Sequence, residues 1–144
     1  MTNVAQVLHE KREHTVYTIS PDATVLEAIT LMADKGIGAL VVVENDAVVA
    51  GILSERDYMR KITLMERSSD NTLVSEIMTA KVFTVDKSFS VEDCLQLMTD
   101  RHLRHLPVVE NGKLQGLISI GDLVKAAMED QRQLIVQLKQ YISG

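Results

Sequence analysis

Tryptophan is absent from this sequence, and aromatic residues make up only 3% of it. A core cannot then rest on large rings. It must be assembled from Val, Ile, Leu, Met and Ala, the bulk of the 46% apolar fraction, and aliphatic cores of that kind suit buried strands covered by helices. The single cysteine, Cys94, excludes an internal disulfide; it falls on a helical stripe, where a thiol reads as a small buried hydrophobe, and a reducing cytoplasm is the expected compartment. No apolar run approaches the roughly 18 residues that cross a bilayer, and the polar stretch from Met1 to Glu13 has no signal-peptide character. No membrane partner is therefore expected. Basic residues are outnumbered, 15 Lys and Arg against 20 Asp and Glu, for a net charge of -5. With no basic-aromatic stripe, nucleic acid is not expected as a partner either. The 144 residues suit one compact domain.

What is present is a duplication. Sliding the chain on itself by about 66 residues places Val16-Tyr-Thr-Ile on Val82-Phe-Thr-Val, Leu31-Met-Ala-Asp on Leu97-Met-Thr-Asp, and Val42-Val-Glu-Asn on Val108-Val-Glu-Asn. One extra residue in the first copy, within Asp46 to Ala50, then shifts the register so that Gly51-Ile-Leu-Ser-Glu-Arg-Asp57 meets Gly116-Leu-Ile-Ser-Ile-Gly-Asp122. Two copies point to a pseudo-twofold pair rather than a solenoid.

Each copy changes its hydrophobic period in the same order. A short strand at Val16 to Ile19 is followed by Thr24 and a helical stripe at Val25, Ala28, Ile29 and Met32. Thr24 with Glu27 and Ser90 with Asp93 are candidate capping boxes. Gly36 and Gly38 end the first helix. Ala39 to Val43 reads as a strand buried on both faces, turned at Asn45-Asp46 into a second strand that ends at Leu53, and Ser54 opens a second helix. Copy two repeats this with Leu106 to Val109, a turn at Asn111-Gly112, Leu114 to Ile118, and a helix from Ile120. The order is βαββα twice, an α+β fold with α/β-type layers. The expected organisation is an N-terminal helix at 1–10, a first motif at 11–66, a linker at 67–76, and a second motif with an extended C-terminal helix at 77–144. Leu134, Ile135, Leu138, Tyr141 and Ile142 form an apolar stripe on that last helix, to be covered either by the N-terminal helix or by a partner subunit.

Chemistry is best sought at the two Gly-aliphatic-aliphatic-Ser-x-x-Asp segments. A serine at the first turn of a helix marks free backbone N–H groups backed by the helix dipole, which favour a phosphate; an aspartate three positions on can accept hydrogen bonds from two ribose hydroxyls. Ser54 and Ser119 would then address a phosphate, Asp57 and Asp122 a ribose. The same pattern is also a plain capping box. Its repeated position after a glycine-led strand, at strand ends where open sheets bind ligands, favours the binding reading.

The duplicated βαββα order, Leu106-Pro-Val-Val, Ile77-Met-Thr before the second copy and the two Gly-x-x-Ser-x-x-Asp segments resemble the CBS domain pair, or Bateman module, over about Lys11 to Met128. The resemblance implies one compact module whose two clefts between the motifs hold AMP, ADP, ATP or a related adenosine compound, with NAD and S-adenosylmethionine as further candidates. It implies ribose contacts from Asp57 and Asp122 and phosphate contacts from Ser54 and Ser119. Base contacts would come from Thr15-Val16 and from Thr79 to Val82, and walls from Ala39-Leu40 and His105-Leu106. Arg104 and His105 would supply cations beside the second phosphate. Gly38 and Ala39 stand at those places in copy one, so Arg56 or Lys81 would have to serve there. Free-standing pairs of this family commonly form flat twofold dimers, and a homodimer is expected.

His102, His105, His9 and His14 lack the Cys pair or carboxylate spacing of a metal motif, and no nucleophile elbow, phosphate loop, dinucleotide fingerprint or His-Glu-x-x-His occurs. The expectation is a ligand sensor without catalysis, metal or required cofactor, passing occupancy to a separate regulated protein. The alternative is a structural or dimerisation module with empty clefts.

Overall fold

The computed structural model describes residues 2–11, 16–45, 47–65 and 68–143; Met1, Glu13, His14, Thr15 and Asp46, named above, lie outside them. The chain sorts into two compact units, one of Val16–Phe83 with Asn111–Gln115, the other of Met1–Thr15, Thr84–Glu110 and Gly116–Gly144.

The first unit contains β1 (Thr18–Ile19), α2 (Val25–Lys35), β2 (Ala39–Glu44), β3 (Val48–Ser54), α3 (Glu55–Asp57), a π-type turn (Tyr58–Ile62), α4 (Thr63–Met65) and α5 (Val74–Ile77). Helix α2 starts at the Thr24–Glu27 capping box and stops at Gly36, which takes the left-handed conformation (φ 63°) and turns its N–H onto the Ala33 and Met32 carbonyls. The continuous apolar run forms β2, the central strand of a three-stranded sheet, parallel to β1 and antiparallel to β3. Pairing jumps from Val42 opposite Gly51 to Val43 opposite Val49. The bulge leaves Ala50 unpaired. Val25, Ala28, Met32, Leu40, Val42, Leu53, Val74 and Ile77 form the core.

The polar stretch between the copies has a structural task. The Thr72 and Ser69 carbonyls accept the Val25 and Leu26 amides, each at 2.8 Å, and Thr24 Oγ1 accepts the Glu27 amide. The first three free N–H groups of α2 are thereby satisfied. Part of the span 67–76, expected as a linker, is helical: α5 begins at Val74, and Val74 and Ile77 are fully buried.

The second unit contains α1 (Val4–Glu10), α6 (Val91–Arg101), β4 (His105–Glu110), β5 (Lys113–Ser119, its first residues counted with the other unit) and α7 (Ile120–Ser143). Ser90 caps α6 as Thr24 caps α2, but the left-handed terminus falls on His102 (φ 56°). The strand expected from Val82 shrinks to one parallel bridge between Val85 and Val108. Helix α1 buries Val4 and Val7, docks through Val4 N–H on the Phe89 carbonyl, and its leading Thr2 hydroxyl donates to Asp130 at 2.6 Å. It does not cover the apolar stripe of α7: Leu134, Ile135, Leu138, Tyr141 and Ile142 are all exposed. Among the described residues, no helix is long and apolar enough to cross a membrane.

Candidate functional site

The two Gly-x-x-Ser-x-x-Asp segments fold alike. In each, the strand runs out at the serine and the helix begins with the next residue. Ser54 Oγ accepts the Asp57 amide at 3.2 Å while Asp57 Oδ2 accepts the Ser54 amide at 3.0 Å; Ser119 and Asp122 make the same exchange at 3.1 and 2.9 Å. Both pairs are therefore formed capping boxes. A third bond repeats as well: the amide of Glu55 reaches the Gly38 carbonyl at 3.0 Å, and that of Ile120 reaches the Arg104 carbonyl at 2.9 Å. Of the first three helical amides only those of Arg56 and Gly121 stay open among the described residues. The helix starts thus keep one outward donor each rather than the full set expected from the sequence.

Around Asp122 the decisive neighbour is Lys11, the C-cap residue of α1. Its Nζ lies 3.0 Å from Asp122 Oδ2 and donates to the Leu117 carbonyl at 2.7 Å. Both side chains are about three-quarters buried. Burial works against the charge on Asp122, but the Ser119 amide and the Lys11 ammonium outweigh it and hold the carboxyl below its ordinary value. Asp122 is an anion at neutral pH. Asp122 and Lys11 open on a pocket of about 480 Å³, also lined by Val7, Glu10, Lys125, Ala126 and Glu129.

Around Asp57 the corresponding cation is Lys61, one turn further along its own helix. Its Nζ lies 3.9 Å from Asp57 Oδ1 and donates to the Ile77 carbonyl at 2.8 Å. The Thr79 hydroxyl meets the same oxygen at 3.5 Å, and Thr79 is held there by paired backbone bonds with Ile52. Each carboxylate thus faces a lysine anchored by a second bond to a backbone carbonyl.

The remaining expected residues separate. Ser54, Asp57 and Thr79 come together in the first unit, and Ser119, Asp122 and His105 in the second. Arg56, Lys81 and Arg104 are exposed, Val16 and Val82 half-buried. Leu40 and Leu106 are fully buried and Ala39 nearly so; Leu40 belongs to the core. The cation that faces Asp57 is Lys61. His105 is biased toward its neutral form. Burial pushes its imidazole below the usual value; Asp122 pulls it up, but Lys11 and Arg104 oppose protonation. Lys61 could have been found from its i,i+4 spacing to Asp57, whereas nothing local marks Lys11.

The depressed His105 pKa makes a testable link to stability. A histidine that the fold keeps neutral contributes fully above its unfolded value, near 6.5, and loses that contribution as pH falls below it. Urea unfolding should therefore show lower stability at pH 5.5 than at 7.5. His105→Asn should flatten that difference, and an equal pH dependence in the variant would assign it elsewhere.

Comparison with known proteins places this geometry. The CBS domain model matches residues 11–64 and 74–129. The chain is 42% identical over 127 residues to the mitochondrial CBS domain-containing protein CBSX3 of Arabidopsis thaliana, covering 85% of this chain and 62% of that protein; it thus spans under two thirds of that relative's length. A CBS-domain protein structure from Burkholderia ambifaria is 56% identical with a TM-score of 0.85, over 90% of this chain and 96% of that one. The structure of CBSX2 in complex with AMP shares the fold, with a TM-score of 0.75 at 23% identity over 90% and 98% of the two chains.

Proposed function

The chain belongs to the CBS-domain family, and on that premise we propose that it is a non-catalytic regulatory module that takes an adenosine-containing ligand at Asp122, and by the same chemistry at Asp57, and relays occupancy to a partner protein. The observation that carries this reading is the repeated constellation: an ionic carboxylate three residues into a helix, an open amide beside it, and an anchored lysine against it. The carboxylate is fit to accept two hydroxyls of a ribose, and the amide with the lysine to receive a phosphate. CBSX2 holds AMP on this fold, which makes AMP, ADP and ATP the first ligands to try, with NAD and S-adenosylmethionine after them. The expected assembly is a homodimer.

A second reading has its own support. The Ser–Asp pairs are already satisfied as caps, as they would be in a scaffold with empty sites. Calorimetric titration separates the two. The sensor reading expects saturable heat with an adenine nucleotide, weakened by Asp122→Asn by about 1.5–3 kcal/mol, or roughly 10- to 150-fold. Asparagine at this third helical position can still accept the Ser119 amide through its Oδ1, and circular dichroism checks that the variant is folded. No heat from any of these ligands at millimolar concentration would leave the scaffold reading standing.

A further inference from the structure

Lys11 lies outside the duplicated binding pattern, yet it is the cation paired with Asp122, at 3.0 Å. Helix α1 carries it there: Val4 and Val7 are buried, Leu8 packs on Gly116, and Thr2 is bonded to Asp130. The ammonium sits between Asp122 Oδ2 and the Leu117 carbonyl. Asp122 Oδ2 already accepts the Ser119 amide, so with Lys11 in place that oxygen is saturated. A ribose that spans the carboxylate, one hydroxyl on each oxygen, must compete with Lys11 for Oδ2.

We propose that Lys11 is a specificity-determining residue that makes the Asp122 site reject an unphosphorylated nucleoside in favour of a nucleotide. This rests on the reading of Asp122 as a ribose-binding group. A bare nucleoside that takes Asp122 leaves the Lys11 ammonium about three-quarters buried with a single carbonyl for company, an unfavourable state for a charge. A nucleotide supplies the replacement: its phosphate, beside the open Gly121 amide, accepts the displaced ammonium in a charge-assisted bond. The pocket favours that exchange. Lys125 lies on its wall as a second cation, and of its three acids Asp122 takes the ribose and Glu129 is engaged by Arg132 at 2.6 Å, leaving Glu10 as the opposing charge. In the first unit the ion pair is looser, 3.9 Å against 3.0 Å, and its lysine more exposed, so discrimination at Asp57 is weaker.

Calorimetry with adenosine, AMP and ADP on the full chain, comparing wild type, Lys11→Met, Lys11→Gln and Lys11→Arg, tests this. Wild type should prefer AMP and ADP to adenosine. Lys11→Met should weaken the nucleotides and leave adenosine equal or tighter, lowering the preference by about tenfold or more, roughly 1.4 kcal/mol. Lys11→Gln, which can still bond the Leu117 carbonyl and so holds the end of α1, should show the same loss if the methionine variant melts early by circular dichroism. Lys11→Arg should keep most of the preference. An unchanged preference in folded Lys11→Met or Lys11→Gln, with binding still dependent on Asp122, overturns the role of Lys11 alone. Absence of binding by wild type to all three compounds overturns the ribose reading and this proposal with it.

Discussion

Substituting alanine for Gly51 is expected to destabilise the fold by about 2–3 kcal/mol, whereas the same change at Gly116 should cost about 1 kcal/mol or less. Both glycines lead a Gly-x-x-Ser segment, and both lie under a crossing segment of chain, but the crossing atoms differ. A Cβ at Gly51 would stand 2.9 Å from the Thr79 carbonyl oxygen and 2.6 Å from Met78 Sδ. Backbone cannot turn aside as a side chain can, and Thr79 is fixed by its bonds to Ile52. At Gly116 the obstacle is the end of the Leu8 side chain, 2.7 Å away, which has other rotamers. The consequence reaches the site, because pushing Thr79 outward removes its hydroxyl from Asp57. Urea denaturation of the two variants measures the difference; equal losses would show that the close approach at Gly51 relaxes as readily as that at Gly116.

Leu40→Ala is expected to cost about 3–4 kcal/mol, and Leu53→Ala a similar amount. The two leucines face each other across β2 and β3 and neither has any exposed surface. Each truncation leaves a void in a core whose fully buried members carry no aromatic ring, with Tyr17 and Tyr58 packed only against its edge. Because the voids merge, the double variant should lose less than the sum of the singles, by about 0.5 kcal/mol or more. Strict additivity in denaturant melts would mean that the residues are not in one packed layer. The resemblance to the family counted Leu40 among the ligand walls; its full burial and place in the core make packing its visible role.

What could be read from the sequence was what local physics encodes. The capping boxes at Thr24 and Ser90, the stop at Gly36 and the doubly buried run in β2 are short-range signals, and the structure places each where the pattern predicts. The extra residue of the first copy was visible by alignment, whereas the bulge that leaves Ala50 unpaired was not. Long-range pairings were not legible. Neither the charge pattern nor the repeat brings Lys11 to Asp122, since the contact depends on how α1 docks in its unit. The downward push on the His105 imidazole was not legible for a related reason: burial, its main cause, is a tertiary property. The polar segment after Met65 gave no apolar period, yet its carbonyls serve the start of α2 and its end supplies Val74 to the core. The apolar stripe on α7 was legible in the sequence, but that α1 leaves it exposed was not.

The most direct measurement is a crystal structure of the chain grown with AMP. The ribose hydroxyls should lie within about 2.6–3.0 Å of the Asp122 carboxylate, with the phosphate beside the Gly121 amide and Lys11 turned toward it. AMP bound away from both Asp122 and Asp57, or sites left empty at a saturating millimolar concentration, would contradict the assignment of these carboxylates as the ligand-binding groups.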